Sequence, residues 1–312
     1  MESNAEVYEG TEQGFAFTGL RTASAELKMV PSLGGRIISL RGRATGREWC
    51  WHRRRPDWLW SNRPGDSFGL STQAGMDECV PSVAACTWRG RAIPDHGELW
   101  ARAWTLDVAE LASGRLSATV PLEITPFLFR RTIHADPGGG FVFDYTLQNL
   151  GSATEEFIWC LHPLLNIVEG DRLELPPEVA SIRLDGGVGD RAIGAGDTWS
   201  YPEPFAGIRL DRLETPGMPH GCVKGFTCAL RDGRAAIFND GAGEGLKLAW
   251  DVRVAPYLGL WLNRGHGGFH HVALEPTSGA PDSLRDAVES WRQFSTIAGG
   301  ATVGWSVTLR LL

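Results

Sequence analysis

The sequence predicts an all-β fold, and two observations carry that prediction. Its 312 residues include 39 Gly and 18 Pro, which cut the chain into short segments, and few windows keep apolar residues at helical spacing over three turns. Several windows instead alternate apolar and polar residues, the pattern of a strand with one buried face. Near the start, Ala25 to Val30, Arg36 to Leu40 and Arg47 to Trp51 read as successive strands of a meander, joined through Pro31-Ser32-Leu33-Gly34-Gly35 and Ala44-Thr45-Gly46. From Phe141 to Gln148, Phe141, Phe143, Tyr145 and Leu147 form an apolar face. The turn Asn149-Leu150-Gly151-Ser152 then predicts an antiparallel hairpin with Glu156 to His162. The Gly- and Pro-rich interval from Gly186 to Gly225 reads as long loops. Tyr257 to Asn263 and Phe269 to Glu275 follow as strands, and Trp305 to Leu311 ends the chain with Ser306, Thr308 and Arg310 outward. One helix is expected over Pro281 to Phe294, capped by Asp282 or Ser283, with Leu284, Ala287, Val288 and Trp291 at helical spacing. No repeat or composition shift divides the chain, so residues 1–312 are expected to form a single domain.

Composition excludes several function classes. Hydrophobic residues make up 43% and charged residues 21%, the balance of a globular protein, and no window approaches the roughly 18 apolar residues of a membrane span. Residues 1–15 lack the basic start and apolar run of a secretory signal, so a soluble, cytoplasmic protein is expected. A formal net charge of −7 argues against a nucleic-acid surface. The run Arg53-Arg54-Arg55 is read as a solvated loop, with an anion or partner contact as the alternative. The six cysteines, Cys50, Cys79, Cys86, Cys160, Cys222 and Cys228, include no Cys-x-x-Cys pair and read as reduced, mostly buried thiols.

The most informative residue is Glu275, at the end of the apolar strand His271-Val272-Ala273-Leu274-Glu275-Pro276. Desolvation disfavours an ionised carboxylate there unless something compensates, which is how carboxyl groups are poised for proton transfer. Strand parity places His271, Ala273 and Glu275 on one face. His271 and Glu275 are then about 13 Å apart at the strand rise, so the partner of Glu275 must come from elsewhere. His96, in Pro94-Asp95-His96-Gly97-Glu98-Leu99-Trp100, and His162, in Trp159-Cys160-Leu161-His162-Pro163, supply candidates for the complementary acid. On the preceding strand Leu258, Leu260 and Leu262 read as core, while Trp261 and Asn263 share the opposite face, suited to a sugar's C–H face and hydroxyls or to packing on another sheet. The cluster His266, His270 and His271 lies in a Gly-rich loop without acidic or Cys partners at ligand spacing, so no metal is expected.

These segments, with Gly34-Gly35-Arg36-Ile37-Ile38-Ser39-Leu40, Thr45-Gly46-Arg47-Glu48, Gly75-Met76-Asp77-Glu78-Cys79-Val80-Pro81, Asp95-His96-Gly97-Glu98-Leu99-Trp100, His162-Pro163 and Leu274-Glu275-Pro276, resemble in order the aldose 1-epimerase family, also called galactose mutarotase-like proteins. The resemblance spans nearly the whole chain. It implies a β-supersandwich of two large antiparallel sheets with few short helices, and a sugar groove. It implies that Glu275 resembles the general base, His162 the general acid and His96 the second histidine at the sugar. The reaction implied is interconversion of α and β anomers by acid/base ring opening, with no metal or redox cofactor and a small sugar as the substrate; no nucleic-acid or membrane partner is expected, and the oligomeric state is left open. The paired carboxylates Asp77 and Glu78 suit sugar hydroxyls or a salt bridge with Arg63, Arg89 or Arg102. Trp100 and Trp104 flank His96 as pocket walls or as core. The segment Asp95-His96-Gly97-Glu98 departs from the Leu-His-Gly-Gly of the best-known galactose mutarotases, which leaves the sugar open, anionic sugars included. Arg36, Arg63, Arg89, Arg91, Arg102 and Arg264 are candidates for an anion clamp. The reading from another class is a carbohydrate-binding or sensing protein that keeps the groove without turnover; lyase or hydrolase chemistry in a similar groove is the third.

Overall fold

The computed structural model describes residues 5–188, 193–213 and 221–312. Two large antiparallel sheets dominate it, one of eleven strands and one of eight. In the middle of the larger sheet lie, side by side, Met76–Cys79, Cys160–Leu165, His270–Thr277, Tyr257–Arg264 and Gly221–Thr227. The smaller sheet is centred on Glu244–Trp250, Thr302–Leu311, Phe141–Asn149 and Phe127–Ala135.

The alternation read from the sequence decides which faces meet. Phe141, Phe143, Tyr145 and Leu147 are buried together with Trp305, Val307 and Leu309 from the smaller sheet and Leu258, Leu260, Leu262, Val272 and Leu274 from the larger, all in one core cluster. Each such fully buried side chain contributes about 1.5–3 kcal/mol. Because strand side chains alternate, facing these leucines inward turns Trp261, Asn263, His271, Ala273 and Glu275 to the other face of the larger sheet. Ala273 joins Trp51 and Leu164 there in a separate small cluster, with Trp261 and Phe269 packed against it.

The sheets are also joined by an ionic node. Glu78, on the larger sheet, is fully buried. Its Oε1 accepts from Arg131 Nη1 at 3.0 Å and from Tyr145 Oη at 2.9 Å, both on the smaller sheet. Its Oε2 accepts from Trp159 Nε1 at 2.9 Å. Burial pushes the Glu78 carboxyl up to about 7, against the pull of Arg131.

The structure departs from the sequence reading in four places. Glu156 to His162 does not form a hairpin with the strand before it: Glu155–Phe157 pairs with Ser295–Ile297, and Cys160–Leu165 enters the larger sheet. The residues from Phe157 to Leu165 are buried without a break, the mark of burial on both faces rather than of a hairpin with one wet face. Arg47 to Trp51 makes isolated bridges and no strand, because the Glu48 carboxylate takes hydrogen bonds from Leu40 N at 2.9 Å and Cys50 N at 2.8 Å in place of a backbone ladder. The helix is a single α turn, Leu284–Asp286, capped by Ser283 Oγ and continued by a π turn over Ala287–Trp291. Within Gly186 to Gly225, residues 189–192 and 214–220 lie outside the described residues; Ser181–Val188, Thr198–Ser200 and Gly221–Thr227 are strands, not loops. All six cysteines are free, with Cys228 exposed and Cys86 half-buried. Among the described residues no helix is long and apolar enough to cross a membrane.

Candidate active site

The outer face of the larger sheet carries a groove of ≈450 Å³, within the range of small-ligand sites. His96, His162, Trp261, Asn263, His271 and Glu275 all line it, joined by Lys224, Asp185 and Asp282.

Glu275 is fully buried at its floor. Gly259 lies directly opposite it across the strand ladder, and a Cβ at Gly259 would stand 3.0 Å from Glu275 Oε2, so the glycine makes room for the carboxylate. Oε2 is engaged by the Lys224 ammonium and, at 3.5 Å, by the Cys160 thiol. Oε1 has no hydrogen-bond partner among the described residues; it faces His162 Nε2 at 3.7 Å. One oxygen is therefore held and the other open. Lys224 also pairs with Asp282 Oδ1 at 3.2 Å. Burial alone would strip its proton, but Asp282 and Glu275 outweigh it and hold the ammonium above its ordinary range. Burial pushes Asp282 up against the pull of Lys224. Burial, with the nearby Asp282 charge, raises Asp185 to about 6.

The His162 imidazole is held well below its ordinary value of 6.5, first by burial and then by the neighbouring His96 and Lys224 side chains. A general acid at His162 needs a charged imidazole beside the carboxylate; at neutral pH this histidine is neutral and the charged group on Glu275 is Lys224. His162 Nδ1 is buried without a partner among the described residues.

His96 stands at φ 58°, a left-handed conformation that only a well-braced turn sustains. The braces are visible. Glu98 accepts from the backbone N–H groups of Glu123, Ile124 and Thr125 at 2.7–3.0 Å, and Trp100 Nε1 donates to the Asp95 carbonyl at 2.8 Å. The Asp95 carboxylate takes His96 Nδ1 at 2.8 Å and Phe68 N at 2.9 Å. Burial opposes its ionisation, and the bond to His96 more than restores it, so Asp95 sits below its usual range. Phe68 stacks on His96 with ring centres 3.7 Å apart, and His96 meets His162 edge-on at 4.9 Å.

On the facing wall Trp261 Nε1 donates to His271 Nε2 at 3.2 Å. His271 is pulled down to about 3 by burial and is neutral. Asn263 donates to the His266 carbonyl at 3.3 Å and keeps its Oδ1 unpartnered among the described residues.

Three residues read as substrate contacts are not at the groove. Asp77 is buried and bonded to Arg36 Nε at 2.7 Å; Glu78 is the node between the sheets; Trp100 is buried behind the His96 turn. Several arginines read as an anion clamp are occupied as well: Arg36 by Asp77, Arg89 by Glu156, Arg91 by Glu155, Arg102 by Glu123, and Arg264 by the Arg212 carbonyl. Among the described residues no group of three or more His, Cys, Asp or Glu is arranged to hold a metal. Lys224, Asp185 and Asp282 are the charged groove residues the sequence reading missed. The signal for Lys224 was a cation inside Cys222-Val223-Lys224-Gly225-Phe226, on the strand paired with Trp261.

The shape of the whole molecule matches solved structures. A galactose mutarotase-like protein from Clostridium acetobutylicum superposes with a TM-score of 0.71 at 14% identity, covering 99% of each chain. One from Lactobacillus casei gives 0.68 at 17% identity, covering 95% of this chain and all of that one (100%). A galactose mutarotase related enzyme from Lactobacillus acidophilus gives 0.63 at 15% identity, covering 98% of this chain and 97% of that one. This chain has the galactose mutarotase-like fold. At these identities the likeness is one of fold. The sequence matches no family model and no curated protein.

Proposed function

We propose that this mutarotase-like chain is an aldose 1-epimerase that interconverts the α and β anomers of a sugar by acid/base ring opening. The observation that supports this most is the convergence of Glu275, His162 and His96, separated by long stretches of chain, on one groove of monosaccharide size, with one Glu275 oxygen left open toward His162. Binding a sugar alone does not require a matched acid and base, which is what a carboxylate oxygen beside an imidazole supplies.

Glu275 Oε1 takes the proton of the anomeric hydroxyl while protonated His162 delivers one to the ring oxygen. The C1 to ring-oxygen bond opens, the aldehyde turns, and reclosure with the roles reversed yields the other anomer. Lys224 pins Oε2 and balances the buried charge. His96, fixed by Asp95 and Phe68, and the Trp261–Asn263 wall hold the sugar. Burial makes the protonated form of His162 scarce at neutral pH, so its supply limits the rate there.

Exchange NMR between anomer signals, run on a panel of aldoses with and without the protein, tests the reading. Catalysed exchange of at least one aldose is expected. Saturable binding without any acceleration would instead make the groove a sugar receptor in which the Lys224–Glu275 pair is purely structural.

A further inference from the structure

In the Arg53-Arg54-Arg55 segment Arg54 and Arg55 are exposed, as a solvated loop requires, while Arg53 is half-buried. The segment forms one wall of a second cavity, of ≈610 Å³, completed by Trp51, Asn166, Ile167, Phe269 and His270. Among the described residues that line it there is no Asp or Glu, in a chain whose formal net charge is −7. Arg55 is offset from outside by Asp57. Arg53 donates only to neutral acceptors, the Gly69 carbonyl at 3.0 Å and Gln73 Oε1 at 3.3 Å, and its buried Nε has no partner among the described residues. Arg54 is exposed and makes no hydrogen bond or ion pair among the described residues.

This cavity adjoins the groove. Gly69, Gln73 and Phe269 line the groove, and Arg53 is bonded to the first two and lies 5.0 Å from the ring centre of the third. Phe269 is thus the shared wall, with Arg53 against it on the side of the second cavity. His270 stands five residues from Glu275 on one strand, about 16 Å at the strand rise, so the basic cavity opens at the end of the groove remote from the acid/base pair. Like charges gathered without a counter-carboxylate are costly unless an anion joins them, and guanidinium groups bind oxyanions through paired, charge-assisted hydrogen bonds.

We propose that Arg53 and Arg54 form an oxyanion subsite, and that the substrate is an aldose carrying a phosphate, sulfonate or carboxylate at the end remote from its anomeric carbon. The inference rests on the mutarotase reading for the placement of that carbon at Glu275.

The test compares glucose with glucose 6-phosphate, its 6-sulfonate counterpart and glucuronate, in wild-type, Arg54→Ala and Arg53→Ala proteins. Anomer exchange by NMR gives kcat/KM, and calorimetry gives binding independently of turnover. At least one anionic sugar is expected to exceed glucose by about tenfold or more, and each substitution is expected to reduce that ratio by about tenfold, the worth of one hydrogen bond to a charged group. Added salt should narrow the ratio, because Arg54 is exposed. Arg54→Ala alters only an exposed side chain, so it reports on binding without unfolding the protein. Exchange of neutral sugars with no anion preference, or a preference untouched by both substitutions, overturns the subsite and leaves the mutarotase reading standing. Tight binding of an anionic sugar that weakens in Arg54→Ala, without exchange of any sugar, keeps the subsite and overturns that reading.

Discussion

Two buried carboxylates, Glu78 and Glu275, occupy the same large sheet and face opposite ways. Each is fully buried and each meets a buried cation, Arg131 for one and Lys224 for the other. Glu78 has both oxygens satisfied, by Arg131, Tyr145 and Trp159. Glu275 has one oxygen satisfied and the other, buried, without a hydrogen-bond partner among the described residues and 3.7 Å from His162 Nε2. Burial and ion pairing alone therefore do not mark a functional carboxylate, and neither does an unpartnered oxygen, since buried Asp77 Oδ2 lacks a partner too among the described residues; Glu275 joins an unpartnered oxygen to a place on the groove. The first arrangement holds two layers together, and the second keeps a proton acceptor ready at some cost in stability.

That contrast can be broken in order of expected effect. Arg131→Met removes the cation that opposes burial at Glu78, so the carboxyl must stay charged without a counter-ion or take up a proton at a cost, and a stability loss of about 3–5 kcal/mol is expected in denaturant titration. A loss below about 1 kcal/mol, the scale of an exposed pair, would remove the node from the account. His162→Ala is expected to lower kcat for anomer exchange by about 10² with little change in unfolding midpoint, the reverse of the pattern for Arg131→Met.

The pH profile separates the two nodes further. His162 is depressed by burial, His96 and Lys224, so its proton is lost as pH rises through a point below 6.5, the ordinary value. The rate is expected to fall across that interval and to be low at neutral pH. Lys224→Met removes one of the depressing charges, and the falling limb should move to higher pH; a limb that stays in place or moves down would take the His162 proton out of the mechanism. The smallest effect is expected from Trp261→Ala, which should raise KM by less than about tenfold while leaving kcat nearly unchanged. A large fall in kcat instead would place Trp261 in the chemistry.

Much of the fold was legible because alternation is local. Phe141 to Leu147 and Leu258 to Leu262 state their inward faces by spacing alone, and the same parity turned Glu275, Trp261 and Asn263 to the groove side. The hairpin predicted for Glu156 to His162 failed because a run buried on both faces carries no alternation to read. Charge pairing was not legible at all. Glu78 meets Arg131, Tyr145 and Trp159 from 53, 67 and 81 residues away, and nothing near Glu78 in sequence distinguishes a bond to its neighbours from a bond to a sugar. Lys224 was passed over because a lysine on an alternating strand ordinarily points to water; here the second face of its sheet is itself a walled groove. Asp282, read as a helix cap, leaves that task to Ser283 and turns to Lys224. The arginine run shows the same limit, since a charged loop in sequence looks alike whether it lies only on a surface or also borders a cavity, as exposed Arg54 and Arg55 do.

The open Glu275 oxygen is the centre of the account, and Glu275→Gln addresses it with almost no change of shape. Anomer exchange of the best aldose should fall by about 10² or more, while sugar binding and the unfolding midpoint stay close to wild type. Exchange at the wild-type rate in a folded, sugar-binding Glu275→Gln protein would contradict the assignment.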